Sequence, residues 1–212
     1  MLVSGTGTNL RALLSACDAA DFPARVALVI SNRRSAGALE VARAHGVEAL
    51  ALPVTDFGGS LEARDAAIRD ALLAAGVRLV VCAGYDRVLT APVLDAFPDA
   101  ILNVHPSLLP AFAGGMHAVE DALAFGAKVS GCTVQLLEPG EPDGGPIVLQ
   151  AAVPVEEDDD AESLRLRIHE QEWRILPEAV ALFCSGRLRR EGRRVRIQPA
   201  PAPTHIGGPT RP

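Results

Sequence analysis

The sequence predicts one domain of the α/β class, with helices on both faces of a mostly parallel, Rossmann-like sheet. Continuously apolar segments alternate with segments whose apolar residues recur at helical spacing. Unbroken apolar runs are typical of strands that are covered on both faces. With 212 residues, 49% of them hydrophobic, the chain can bury a full core. We expect residues 1–188 to form this domain, and residues 189–212 to form a basic, then Pro-rich tail that is disordered at its end.

The order of the elements follows from these patterns. Strands are predicted where the chain is continuously apolar, at residues 1–3, 25–31, 47–52, 78–83 and 101–105. Helical spacing predicts helices at residues 10–20, 37–45, 60–75, 117–126 and 163–183, with one further short helix after residue 89. Residues 128–138 alternate in polarity, which predicts an antiparallel strand with a bulge at Gly131, and residues 147–155 predict a last strand.

Residues at the helix ends support these limits. Ser60 is suited to cap the 60–75 helix, Glu62 lies in its first turn, and Gly76 follows its end. Pro177 has no amide hydrogen to donate and is expected to kink or split the last helix.

Composition argues against several classes of protein. The net charge of −6 does not favour nucleic-acid binding, which normally needs a basic face. The cysteines form no C-x-x-C pair, so neither a metal site nor a redox dithiol is indicated. The sequence has no signal peptide and no apolar segment of membrane length, from which we expect a cytoplasmic protein that does not bind membranes. The four cysteines are Cys17, Cys82, Cys132 and Cys184.

The first candidate for a binding site is the loop Ser4–Asn9, read as SGTGTN, between the first strand and a helix. Glycine lets a backbone approach a ligand closely, and the free amides of a helix start attract an anion. The loop has neither the lysine of a P-loop nor the third glycine of a G-x-G-x-x-G motif. It indicates a phosphate-binding loop, and the structural alternative is a tight turn capped by Asn9.

The second candidate is ILNVHPSLLP, residues 101–110. Asn103 and His105 are two residues apart, so their side chains point to the same face of a strand. Pro106 ends that strand directly after them. Open α/β sheets keep their ligands at the carboxyl ends of strands, so an amide beside an imidazole there indicates catalysis. The structural alternative is an asparagine in a turn followed by a buried histidine.

Four segments carry a resemblance to a known family. They are SGTGTNL, GYDRVL, NVHPSLLPAF and EPDGGPIVLQ, and in this order they resemble the phosphoribosylglycinamide formyltransferases of the folate-dependent formyltransferase family. The likeness extends from Ser4 to about Leu188. It implies the formyltransferase fold and transfer of a formyl group from 10-formyltetrahydrofolate to the amine of glycinamide ribonucleotide, a step of purine biosynthesis.

The resemblance implies contacts with both substrates. Gly7, Thr8 and Asn9 match the family's loop on the substrate phosphate, and Glu172 matches a glutamate that approaches the ribonucleotide. The segment expected against the folate pteridine consists of Asp86, Arg87, Val88 and Leu89, joined by Asn103.

The resemblance also implies three catalytic residues, Asn103, His105 and Asp143. Attack of an amine on the formyl carbon places negative charge on the oxygen, and the folate nitrogen that leaves needs a proton. Asn103 can donate to that oxygen, and His105 can act as the general acid. Asp143, if it folds against His105, favours the imidazolium form. No metal or covalent intermediate is required.

Three positions depart from the family's pattern. Asp86 stands where an apolar residue such as Met is usual, and Gln135 stands where His is usual. Leu61 replaces an arginine that is thought to meet the folate tail, and Arg64, one turn further on, is the candidate substitute.

Other functions are left open. Sugar and methionyl-tRNA formyltransferases share Asn-x-His and the distant Asp, but the phosphate loop and the expected lack of an RNA-facing domain after Gly186 count against them. A formyltetrahydrofolate hydrolase usually carries an additional N-terminal domain. A non-catalytic nucleotide-binding module would leave Asn103, His105 and Asp143 without a common purpose. The protein is expected to be a monomer or a homodimer.

Overall fold

The computed structural model describes residues 1–140 and 143–200. The strands in these residues are β1 (Leu2–Val3), β2 (Leu28–Ser31), β3 (Glu48–Ala51), β4 (Val80–Ala83), β5 (Ile101–His105), β6 (Val129–Leu136), β7 (Ile147–Pro154), β8 (Leu188–Glu191) and β9 (Arg194–Ile197). The helices are α1 (Thr8–Cys17), α2 (Gly37–Ala44), α3 (Leu61–Ala74), α4 (Ala91–Leu94), α5 (Ala118–Phe125) and α6 (Ala161–Cys184), and Val54–Phe57 forms a 3-10 turn.

The strands form one sheet in the order β3-β2-β1-β4-β5-β6-β7-β9-β8. β1 pairs in parallel with β2 on one side and with β4 on the other, so the direction in which the chain adds strands reverses at β1. β3 and β5 extend the parallel part, and β6 and β7 continue the sheet in antiparallel orientation. The predicted α/β class with a mostly parallel sheet is confirmed. Such sheets bind ligands beyond the carboxyl ends of the strands where the order reverses.

The helices cover both faces of the sheet. Successive strand residues point to opposite faces, so Val3 packs in a core with α1, α2 and α6, whereas Leu2 packs in a second core with α3 and α4. Each strand of the parallel part therefore contributes to two cores. This is the reason that apolar residues dominate these strands, with the exceptions of Ser31 in β2, Glu48 in the edge strand β3, and Asn103 and His105 in β5.

The C-terminal part of the described chain extends the sheet. β8 and β9 form an antiparallel hairpin, and β9 pairs in parallel with β7 through Arg194 and Ile147. The hairpin lies in the segment that the sequence suggests to be the start of a tail. Most of its side chains are exposed arginines and glutamate, so the apolar pattern of a strand is missing. The Pro-rich end of that predicted tail, residues 201–212, lies outside the described residues.

Two local predictions differ from the structure. The predicted bulge at Gly131 is wrong, because the register shift between β6 and β7 lies between Val134 and Gln135. Gly131 is needed for a different reason: an added Cβ would lie 2.0 Å from the carbonyl oxygen of Ala151 on β7. The last helix is not split, since α6 is continuous across Pro177. Buried residues on both sides of the proline pack against the sheet and offset the missing hydrogen bond.

A buried ion pair fastens α3 to the segment after β4. Arg64 Nε and Nη2 donate to Asp65 Oδ1 at 2.9 and 2.6 Å, and both side chains are fully buried. Asp65 Oδ2 accepts hydrogen bonds from the backbone amide and the hydroxyl of Thr90 at 2.6 and 2.8 Å. Arg64 Nη2 also lies 3.4 Å from the carbonyl oxygen of Val88. The pair therefore determines the path of the segment 88–90.

This arrangement predicts a large effect of Asp65→Ala on stability. The substitution leaves the Arg64 guanidinium buried without its charged partner, which costs about 3–5 kcal/mol. The matched control is Asp70→Ala on the same helix, because Asp70 also pairs with the arginine before it but is exposed. Its free energy of unfolding should change by no more than about 0.5 kcal/mol. Denaturant unfolding measures both, and equal effects would contradict a stabilising role of the buried pair.

Candidate active site

The predicted site residues gather at the carboxyl ends of β1, β4 and β5. A cavity of about 220 Å³ lies there, bordered by the loop Gly5–Asn9, by Gly84 after β4, and by Val104 and Pro106 on either side of His105. The phosphate-loop candidate and the strand with the catalytic candidates thus line one space.

Gly7 holds the start of α1 in this cavity. It has φ of +86°, in the left-handed region that glycine adopts without steric penalty. An added Cβ would lie 2.8 Å from Ala38 Cα, because α2 packs directly against the loop. No side chain caps α1, so the alternative in which Asn9 caps the turn does not hold. The first backbone amides of α1 are therefore suited to an anion.

α6 contributes residues that the sequence analysis missed. Arg165 and His169 line the cavity together with the predicted Glu172, and Glu120 of α5 faces Arg165 in an ion pair. The spacing 165, 169, 172 places three polar side chains on one face of a helix. This helical spacing is the feature of the sequence from which the two missed residues could have been predicted. The pKa of His169 is lowered by burial and by the charge of Arg165.

Glu172 is buried at the base of the cavity, only 3% exposed. Its Oε2 accepts a hydrogen bond from Asn9 Nδ2 at 2.8 Å and lies 4.0 Å from His169 Nε2. Burial raises the pKa of Glu172 to about 7, although the hydrogen bond from Asn9 acts in the opposite direction. Asn9 and Glu172, predicted separately for phosphate and ribonucleotide, are in contact and offer one polar surface.

The structure brings Asn103, His105 and Asp143 together. Asn103 and His105 lie on β5, and Asp143 follows β6 on the loop that leads to β7. Asp143 Oδ1 lies 3.4 Å from His105 Nδ1 and 3.5 Å from Asn103 Nδ2. Only 6% of His105 is exposed, so its carboxylate contact is well shielded from water.

The segment 112–114 covers one side of these residues. His105 Nε2 lies 3.1 Å from the carbonyl oxygen of Phe112, and the amide of Gly114 donates to Asp143 Oδ2 at 2.9 Å. Both ring nitrogens of His105 therefore face oxygen acceptors, and a protonated ring can donate to both. Phe112 and Asp143 have φ of +56° and +58°, and non-glycine residues in this region are often found at functional sites.

Asp86, the departure from the family pattern, bonds to protein groups. Its Oδ1 accepts from Ser4 Oγ at 2.9 Å and from Asn32 Nδ2 at 2.8 Å, and Oδ2 pairs with Arg33. Partial burial acts to raise the pKa of Asp86, but the bonds from Ser4 and Asn32 and the charges of Arg33 and Arg87 hold it below its ordinary value. The carboxylate ties the ends of β1, β2 and β4 together.

The other residues predicted for folate differ in exposure. Leu89 is buried, Arg87 is half-exposed, and Val88 is 62% exposed. The suggestion that Arg64 replaces the arginine absent at Leu61 is wrong, since Arg64 has no exposed surface and is bound to Asp65.

Within residues 1–140 and 143–200, no group of three or more His, Cys, Asp or Glu side chains could hold a metal ion. No helix in that part of the chain is long and apolar enough to cross a membrane. The four cysteines are free thiols.

The fold and the site define a transferase-like α/β enzyme, with a free helix start for an anion beside an amide, an imidazole and a carboxylate in contact. Residues 1–180 match the family described as formyl transferase, and the chain belongs to this family.

Individual relatives support this membership. The chain is 41% identical over 189 residues to the phosphoribosylglycinamide formyltransferase of Haemophilus influenzae, covering 89% of this chain and 88% of the relative. It is 43% identical over 203 residues to that of Mycobacterium tuberculosis, covering 93% and 92%. The crystal structure of glycinamide ribonucleotide transformylase 1 from Symbiobacterium toebii is similar with a TM-score of 0.90 and 54% identity, over 93% of this chain and 92% of that one.

The raised pKa of Glu172 predicts a pH-dependent stability. The folded protein holds the proton on this carboxyl more tightly than the unfolded chain, whose value is near 4.5. The contribution of Glu172 to stability is therefore highest below about pH 4.5 and falls as the pH rises through about 7. Glu172→Gln removes this titration, so from pH 5 to pH 8 the wild type should lose on the order of 2 kcal/mol relative to the variant.

Unfolding by urea at the two pH values measures the difference. Glu178→Gln, a change at an exposed glutamate of the same helix, is the control and should follow the wild type. If Glu172→Gln also follows it, Glu172 is already ionised in the folded protein at pH 5.

Proposed function

We propose that the protein transfers the formyl group of 10-formyltetrahydrofolate to the amine of glycinamide ribonucleotide, as part of purine biosynthesis. The observation that carries this proposal is the shared cavity: the loop Gly5–Asn9 and the residues on either side of His105 border the same space. A phosphorylated amine held at the helix start would thus have its reactive end within reach of β5. The names of the relatives support the choice of substrates.

The ribonucleotide is proposed to bind along α1 and α6. The backbone amides of Gly7, Thr8 and Asn9 take the phosphate, and Arg165 of α6, paired with Glu120, lines the same cavity. Glu172 faces the same cavity and is suited to accept hydrogen bonds from ribose hydroxyls.

The folate is proposed to lie against the segment Asp86–Leu89. The Asp86 carboxylate is occupied by Ser4, Asn32 and Arg33, and its amide donates to Ser4 Oγ at 3.0 Å, so its carbonyl oxygen is the group that remains for the pteridine. Arg87 is half-exposed and remains a candidate contact for the folate tail in place of Arg64.

The reaction requires the protein to stabilise an oxyanion and to supply a proton to the leaving nitrogen. The lone pair of the amine forms a bond to the formyl carbon, and the carbon–oxygen double bond opens to give an oxyanion that Asn103 Nδ2 stabilises. The oxyanion then re-forms the double bond, the bond to the folate nitrogen breaks, and His105 supplies the proton for that nitrogen. The attacking nitrogen releases one proton in the same sequence. Asp143 orients the His105 ring for this transfer through its contact at 3.4 Å with Nδ1.

Turnover assays with purified protein test the function. Tetrahydrofolate should form from 10-formyltetrahydrofolate only when glycinamide ribonucleotide is present. Glycinamide ribonucleoside, which lacks the phosphate, is the control substrate and should be formylated far less efficiently than the ribonucleotide. Equal formation of tetrahydrofolate and formate without any amine would instead select the hydrolase, and use of a formyl acceptor other than the ribonucleotide would select another transferase.

The tight packing of Gly7 predicts a selective loss of ribonucleotide binding. In Gly7→Ala the added methyl group collides with Ala38 and displaces the helix start, which should raise the KM for glycinamide ribonucleotide about tenfold or more. Gly5→Ala is the control, because nothing lies within 4 Å of its added Cβ. Steady-state kinetics with each substrate varied in turn provide both KM values. An equal rise of the KM for folate would exclude the phosphate assignment.

The catalytic roles predict losses in kcat. Asn103→Ala should lower kcat by about 10²-fold or more, the usual effect of removing one oxyanion donor. His105→Asn should also remove most of the activity, because asparagine cannot supply the proton. His45→Asn is the control, since His45 ends α2, its ring contacts the carbonyl oxygen of Val41 in the same helix, and it lies neither at the cavity nor on β5. Single-turnover rates with both substrates bound measure the step, and near-normal rates in Asn103→Ala would contradict the oxyanion role.

A further inference from the structure

The side chain of Gln135 connects two parts of the loop that carries Asp143. Its Nε2 donates to Asp143 Oδ1 at 3.1 Å, and its Oε1 accepts from the backbone amide of Gly145 at 3.0 Å. Gln135 is fully buried, so no substrate atom can reach it. Any influence on the reaction must therefore pass through Asp143.

The strand pairing at Gln135 directs its side chain toward this loop. Gln135 on β6 is paired with Asn103 on β5, and the register of β6 against β7 shifts between Val134 and Gln135. The shift occurs next to the residue whose amide meets the loop. A bulge of this kind changes the direction in which a side chain leaves the strand.

The loop is also seated closely on β6. An added Cβ at Gly145 would lie 1.7 Å from the carbonyl oxygen of Leu136, so only glycine allows this approach. Gln135 then bonds the amide of Gly145 and the carboxylate of Asp143 at the same time. An amide has a donor and an acceptor on one planar group, which allows both bonds without a proton changing place.

The hydrogen bond from Gln135 is the shortest of the side-chain contacts to Asp143 Oδ1. Asn103 lies 3.5 Å and His105 3.4 Å from this oxygen, compared with 3.1 Å for Gln135. The other oxygen, Oδ2, is held by the amide of Gly114 at 2.9 Å. His105 is the ionisable side chain in contact with the carboxylate among the described residues.

We propose that Gln135 is a positioning residue that holds the Asp143 carboxylate against His105 and Asn103. The inference rests on the proposed function for its kinetic consequences, but the position of Asp143 can also be measured directly. Without Gln135, Oδ1 loses its shortest contact and the carboxylate is free to turn away from the imidazole. The reaction is affected because the general acid then lacks its aligned partner.

Amide hydrogen exchange tests the positioning without any substrate. Gln135→Leu should speed exchange at Gly145, which loses its acceptor, and also at Gly114, which touches Asp143 but not Gln135. Gln150→Leu is the control, because Gln150 on β7 bonds to other groups and not to Asp143. Unchanged exchange at Gly114 in a folded Gln135→Leu protein would overturn the proposal, whatever reaction the enzyme catalyses.

Kinetics test the consequence for the reaction. Gln135→Leu should lower kcat about tenfold or more, while the KM values of both substrates stay within about twofold of the wild type. Gln150→Leu should retain kcat within about twofold. A rise in KM without a fall in kcat would overturn the proposal. A wild-type enzyme that does not formylate glycinamide ribonucleotide would overturn the proposed function instead, and the exchange experiment would still decide the role of Gln135.

The isosteric variant Gln135→Glu gives a pH signature. It keeps the acceptor for Gly145 but sets one carboxylate against another, so at pH 8 its kcat relative to the wild type should be low. As the pH falls, one of the two carboxyls binds a proton more readily than a lone carboxyl does, and a protonated Glu can again donate to Asp143. The ratio of the two kcat values should therefore rise toward pH 5. A ratio of kcat values that does not change with pH would show that Gln135 contributes packing and not a hydrogen bond to Asp143.

Discussion

The parallel pairing of β1 with both of its neighbours is the constraint on which the site depends. β2 and β4 occupy the two edges of β1, so all three strands end along one line. The amide of Ser4 donates to the carbonyl oxygen of Gly84 at 2.9 Å, and the Asp86 carboxylate joins Ser4 and Asn32. The two loops proposed to bind substrate and folate are thus attached to each other before any ligand arrives. Such preorganisation lowers the cost of assembling the reaction.

The proposed anion site is compatible with an acidic protein because each carboxylate near the cavity is either paired with an arginine or shifted toward its neutral form. Glu120 pairs with Arg165, and Asp86 pairs with Arg33. Glu172 is instead shifted toward its neutral form by burial, with a pKa of about 7. The backbone amides at the start of α1 can therefore act on a phosphate without a nearby uncompensated negative charge. The negative net charge alone would have suggested that the protein does not bind anions.

The two halves of the sheet supply different parts of the site. The parallel half carries the loops after β1 and β4, whereas the antiparallel strands β6 and β7 bring Asp143 back to β5. β6 runs from the carboxyl end of β5 back to its start, where Leu136 stands opposite Leu102, and the loop that follows folds Asp143 against the side chains of β5. The contact of Asp143 with His105 thus depends on the register between β5 and β6, in which Gln135 stands opposite Asn103.

Local patterns were sufficient for most of the fold, because apolar runs and helical spacing report burial directly. They located the parallel strands and placed Asn103 and His105 on one strand end. The hairpin β8–β9 was missed, since exposed arginines carry no such signal. Arg64 was misjudged because a charged residue that is buried with a partner cannot be told from an exposed one by its neighbours in sequence.

Sequence patterns could not predict which residues come into contact across the sheet. Asp143 reaches His105, Asn9 reaches Glu172, and Gln135 reaches Gly145 through contacts between residues that are 38, 163 and 10 positions apart. Their side chains meet only after the strand order and the register are established. The sequence therefore determined which chemical groups the protein has and at which strand ends they stand. The packed sheet decided which of these groups touch, because contact depends on three-dimensional distance and not on separation along the chain.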